Sequence, residues 1–150
     1  MTATTHHGAE AELGLLGAIM TSGGSGYLTA CESLSEADFL DVRAQAVWRV
    51  MGRLDEEARP HDTESVLRAL RDSEDGREVG NAALFIASCV EQAISVEVHA
   101  AEIAEASRRR RVVAAGGIMA SKGRVASIPV DEVIAEAEAV LIDRKSTRLN

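Results

Sequence analysis

Aromatic side chains are nearly missing from this chain: two Phe, one Tyr and one Trp in 150 residues. Its core must therefore be made of Leu, Val, Ile and Ala, which pack best between closely approaching helices. β-Branched runs of strand length are also missing, and the chain reads as all-α. There are only two cysteines, Cys31 and Cys89, with no CxxC and no secretory signal, so no disulfide framework is expected. They read as buried or half-buried free thiols in a reducing compartment. No apolar run approaches the roughly 18 to 20 residues of a membrane span. The N-terminus, MTATTHHG, lacks a hydrophobic signal core, and the expected compartment is the cytoplasm.

The chemistry of catalysis is missing too. Lys122 precedes Gly123 where a nucleotide-binding loop of the form GxxxxGK[ST] would need it to follow a glycine, so no ATP site is expected. TSGGSG, residues 21–26, follows no strand and precedes no Gly-Lys-Ser/Thr; it reads as a linker. His61 and His99 stand apart from any Cys or paired carboxylate at metal spacing, and His6-His7 lies in a polar tail. No nucleophile signature is present. No cofactor, no metal and no catalytic residue are expected.

Charge is abundant but unevenly spread. Residues 1–75 hold 14 acidic and 6 basic side chains, a net of −8, whereas residues 76–150 hold 10 of each. An acidic N-terminal half is a poor match for a phosphate backbone, so direct nucleic-acid binding there is not expected.

One hundred and fifty residues suffice for a single domain. Residues 1–9 read as a disordered tail and 10–94 as a small multi-helix head. EAELGLLGAIM, residues 10–20, is the first helix; Gly14 and Gly17 within it would let another helix approach closely. Tyr27 to Leu34 is a short second helix, and Ser35 with Asp38 caps a single turn. Asp41 caps a helix with Ala44, Val47, Trp48, Met51 and Leu54 on its apolar face, and Asp62 caps one with Val66, Leu67 and Leu70. Residues 71–80 read as a charged loop, and Asn81 caps a helix bearing Leu84, Phe85, Ser88 and Cys89.

A long helix then runs from Ser95 to Ser121, with Val96, Ala100, Ile103, Ala114 and Ile118 on one stripe and Ala101, Val112 and Met119 on a second. Glu105 and Arg109 stand at i,i+4. After Gly123 a shorter helix carries Val130, Val133, Ile134, Ala137 and Leu141 at helical spacing. Together they make a C-terminal αα-hairpin, residues 95–142. Its short arm offers one apolar stripe and cannot cover Val112, Val113, Ile118 and Met119 together. The leftover surface implies a partner, most simply a second copy. The candidate oligomer or partner interface is Arg108, Arg109, Val112, Val113, Ile118, Met119, Val133, Ile134 and Leu141. Val113→Asp or Ile134→Asp is then expected to weaken self-association.

The order EAELGLLGAIM, LSEADFL…VWRVM, a Pro60–Asp62 turn into a helix, VGNAALFIASC, AEIAEASRRRR and VDEVIAEAEAVL resembles the N-terminal domain of DnaB-type replicative DNA helicases, over about Glu10 to Ile142. The matching positions are Glu10, Glu12, Leu16, Gly17, Asp38, Phe39, Trp48, Asp62, Gly80, Ile103, Arg109, Asp131, Glu136 and Glu138. The resemblance implies a collar domain of the primosome in DNA replication. Such a domain dimerises toward a hexameric ring and docks primase or a helicase loader. ATP and magnesium then belong to a separate motor domain. Residues 143–150, DRKSTRLN, break the helical pattern and read as the start of a linker or a truncation scar. The alternative is a stand-alone helical nucleic-acid-binding or regulatory protein using Arg108 to Arg111. No interleaved aromatics support base stacking there.

Overall fold

The computed structural model describes residues 2–142, with side chains from Gly8. Eight α-helices and one 3-10 turn make up the secondary structure of the described residues, and none of them is in a strand. In order they are α1 (Thr2–Ser22), α2 (Gly26–Cys31), the 3-10 turn Glu36–Asp38, α3 (Val42–Glu56), α4 (Thr63–Arg71), α5 (Asp75–Val79), α6 (Ala82–Glu91), α7 (Val96–Lys122) and α8 (Val130–Leu141). The side chains of His6 and His7, and the segment DRKSTRLN, lie outside the described residues.

The caps foreseen from the sequence are present. Asp41 accepts from the Arg43 amide at 2.8 Å, Asp62 from Ser65 at 3.3 Å and Asn81 from Leu84 at 3.1 Å. Ser35 and Asp38 close a reciprocal capping box. Three boundaries differ from expectation. Helix α1 begins at Thr2, where a tail was expected up to residue 9. The second helix ends at Cys31. The charged loop 71–80 folds a short helix, α5, because Asp75 is held by arginines on α3.

The chain divides into two compact units, Met1–Ala104 and Glu105–Asn150. The head was expected to end at residue 94. Val96, Ala100 and Ile103 of α7 instead belong to the head core, so the division falls inside that helix.

Within the head, α1 meets α6 at Gly17 with no room for a side chain there, and Gly14 faces the His99 ring of α7. A methyl on Gly17 would sit 2.0 Å from the Cys89 carbonyl oxygen, and one on Gly14 would meet the His99 ring at 2.5 Å. Gly17 thus lets another helix approach closely, as expected, and Gly14 makes room for the His99 ring. Tyr27 and Phe39 each lie 5.0 Å from Trp48, ring centre to ring centre, and Trp48 is buried. Glu12 is buried at 2% exposure and accepts the Leu40 amide at 3.0 Å and the Asp41 amide at 2.9 Å. It thereby fixes the entry of the chain into α3.

Candidate functional site

The head offers little chemistry. Both cysteines are free; Cys31 is half-buried, Cys89 is buried, and burial pushes the Cys89 thiol up to about 12. His61 donates through Nε2 to the Met51 carbonyl at 3.2 Å. His99, 5% exposed, accepts the Ile94 amide at Nε2 at 3.0 Å. Among the described residues no three His, Cys, Asp or Glu side chains are placed to hold a metal. No single helix of the described residues is long and apolar enough to cross a membrane.

The second unit is a hairpin made of the latter part of α7 and of α8. The Gly123 amide closes the end of α7 on Met119 O at 3.0 Å, and a Cβ on Gly123 would lie 2.4 Å from that same oxygen. Glycine is therefore required where the long arm stops. Pro129 starts α8, its carbonyl accepting the amides of Glu132 and Val133. Asp131 and Glu132 in the first turn suit the positive end of the helix dipole. Lys122 joins the arms with both oxygens of Glu136 at 2.7 Å.

Small side chains form the seam. Ala115 and Ala137 are buried at 1% and 3% exposure, Val133 at 5%, and Ile118 and Val140 are half-buried. Two sequence expectations are corrected here. Ala115, not Ala114, is the buried alanine of the long arm. On the short arm the expected stripe splits: Val133 and Ala137 enter the seam, whereas Val130, Ile134 and Leu141 are exposed. The apolar arc of α8 is wider than one neighbouring helix can cover, so the buried residues fall on one edge of it.

The expected interface residues thus fall into three groups. Val133 and part of Ile118 hold the hairpin together. Val112, Val113, Met119, Ile134 and Leu141 stand in solvent at 61%, 75%, 49%, 45% and 46% exposure. Arg108 is exposed, and Arg109 pairs at 3.1 Å with Glu105 as its spacing suggested. Sequence reasoning missed Val130 as a solvent-facing position, since its spacing places it beside the seam residues.

Helical geometry brings most of the exposed group together. At about 100° per residue, Val112 and Met119 lie about a quarter turn from the α7 seam. Val130, Ile134 and Leu141 lie about 50° to 90° from the α8 seam in the same rotational sense. In antiparallel helices, the same sense from the seam is the same face. One face of the hairpin therefore carries Val112, Met119, Val130, Ile134 and Leu141, and Val113 lies farther round α7. Ala114, Ser121, Glu132 and Glu136 populate the opposite face. One exposed apolar face with polar borders is the signature of a protein-contact surface.

Comparison with known proteins agrees with this architecture. The family model of the DnaB-like helicase N-terminal domain matches residues 4–106. Thirty-three chains of known structure match the fold. Among them is the crystal structure of the N-terminal domain of DnaB helicase from Mycobacterium tuberculosis. It superposes with a TM-score of 0.76 at 24% identity, over 89% of this chain and 94% of that one. At that identity the likeness is one of fold. No curated protein matches the sequence.

Proposed function

From the fact that this chain belongs to the DnaB-like helicase N-terminal domain family, we propose that it acts as the collar of a replicative DNA helicase in the cytoplasm. In this reading the hairpin pairs with that of a second copy as one step in assembling the ring. The collar so built presents a docking surface for primase or a helicase loader. ATP hydrolysis belongs to a motor domain, and the 150 residues here carry no phosphate-binding loop.

The observation that carries this reading is the apolar face shared by both arms of the hairpin. All five of its side chains, Val112, Met119, Val130, Ile134 and Leu141, are at least 45% exposed. Two α-helices alone leave too much apolar surface in water to be the end of the assembly. Arg108 and Arg109 border that face, so they serve this interface and not a nucleic-acid groove.

Sedimentation of the wild type and of Ile134→Asp at equal concentration tests the proposal. The wild type is expected to associate and the variant to run as a monomer with unchanged helicity. A buried, unpaired carboxylate costs several kcal/mol, enough to move a micromolar dimer beyond detection. A wild type that is monomeric at every concentration overturns the proposal.

A further inference from the structure

The long arm of the hairpin carries two adjacent glycines, Gly116 and Gly117, in the interior of α7. Packing within the chain does not require them. At Gly14, Gly17, Gly26, Gly52 and Gly76 a Cβ would meet another atom at 3.1 Å or closer, and Gly23, Gly24 and Gly80 have positive φ. At Gly116 and Gly117 neither condition holds: φ is not positive, and a Cβ would find nothing within 4 Å. Alanine would fit at both. Each glycine instead weakens the helix locally by about fivefold relative to alanine, through the backbone freedom it keeps.

A second observation lies one turn on. Ser121 Oγ donates to Gly117 O at 2.8 Å and reaches Ile118 O at 3.5 Å. In the helical ladder Gly117 O is also the acceptor for the Ser121 amide, so hydroxyl and amide share it. Such back-bonding loosens and bends helices, and kinks gather where glycine and serine occur together. At about 100° per residue, Gly117 shares a face with Ser121 and points away from Val112 and Met119. A surface docked on the apolar face does not reach it.

The rest of the hairpin confines the weakness to this point. Helix α8, VDEVIAEAEAVL, contains neither glycine nor serine. Beyond Gly117 the long arm is held by the half-buried Ile118 and by the Lys122–Glu136 pair, whose side chains are 43% and 45% exposed. An exposed ion pair is a weak restraint.

We propose that Gly116 and Gly117 form a hinge in α7. The helix opens locally there, and residues 118–129 move relative to residues 105–115. Met119 and Val125, exposed at 49% and 43%, ride on the moving segment. The hinge lets these two apolar side chains reposition while α8 stays helical.

Native-state hydrogen exchange of the whole chain, followed by NMR and corrected for intrinsic rates, tests the hinge. In the wild type the amides of Gly117 to Ser121 are expected to exchange at least about tenfold faster than those of Ile134 to Glu138 in α8. Gly117→Ala is expected to slow the fast group about fivefold, because it restores helix propensity without meeting any atom. Ser121→Ala, which removes the competing hydroxyl from an exposed position, is expected to slow it as well, with α8 rates unchanged. If the two groups exchange alike in the wild type, or if neither substitution slows the fast group, the hinge is overturned. Neither result bears on the self-association proposed above.

Discussion

Ala58 shows how much a single residue can reveal. It ends α3 with φ of 56°, the only positive value at a non-glycine among the described residues. The Arg59 amide reaches back to Leu54 O at 2.8 Å and the Ala58 amide to Asp55 O at 3.0 Å, the paired bonds of a Schellman cap. Alanine is strained there and glycine is not, so Ala58→Gly is expected to raise unfolding free energy by about 0.5–1 kcal/mol in a urea titration. Asp75 acts across elements. Its carboxylate takes Arg49 Nε at 3.0 Å and Arg53 Nη2 at 2.6 Å. Burial alone would raise its pKa, but the bonds from Arg53 and Arg49 outweigh it and hold the group below its ordinary value of 3.8. A carboxyl whose pKa is depressed by folding contributes stability above its unfolded value and loses it as pH falls through the folded one. Asp75→Asn is expected to cost about 1 kcal/mol at neutral pH, measured by urea unfolding. The variant should also flatten the acid limb of stability below about pH 4.

Between elements, backbone proximity counts for more than side-chain size. Helix α1 meets α6 through Gly17, and the buried positions of the hairpin include Ala115 and Ala137. Gly17→Ala would place a methyl 2.0 Å from a backbone oxygen that has no freedom to move. It is expected to force the helices apart and lower stability by about 3 kcal/mol, read from the midpoint of thermal unfolding. The long helix α7 serves two neighbourhoods. Its first turns complete the head core through Val96, Ala100 and Ile103, and its later turns build the hairpin. That is why its apolar residues follow no single stripe.

For the whole molecule, the head is a folded acidic body and the hairpin carries the exposed apolar face. The chain should show no DNA-stimulated ATP turnover, because its sequence holds no GxxxxGK[ST] loop to wrap a triphosphate. DNA retained at low salt and released by Arg108→Ala through Arg111→Ala would instead assign the arginines to phosphate. No retention is expected, measured by filter binding across a salt series.

The all-α class was legible in the sequence because helical periodicity and capping residues are local. Asp41, Asp62 and Asn81 accept the amides their positions foretold, and the glycines of α1 stand where backbones meet. The order of segments carried the family resemblance for the same reason: it needs no knowledge of which side chain faces which. The tertiary structure alone decided the rest. It fixed the seam on Ala115, Val133 and Ala137, which turned Val130, Ile134 and Leu141 outward. It made Glu12 the acceptor for the Leu40 and Asp41 amides, 28 and 29 residues away, and it held α5 helical through arginines on α3. Each of these depends on how wide an apolar arc one neighbour can cover, or on a partner distant in sequence. Periodicity lists the residues able to be buried, and only the packing of real helices selects among them.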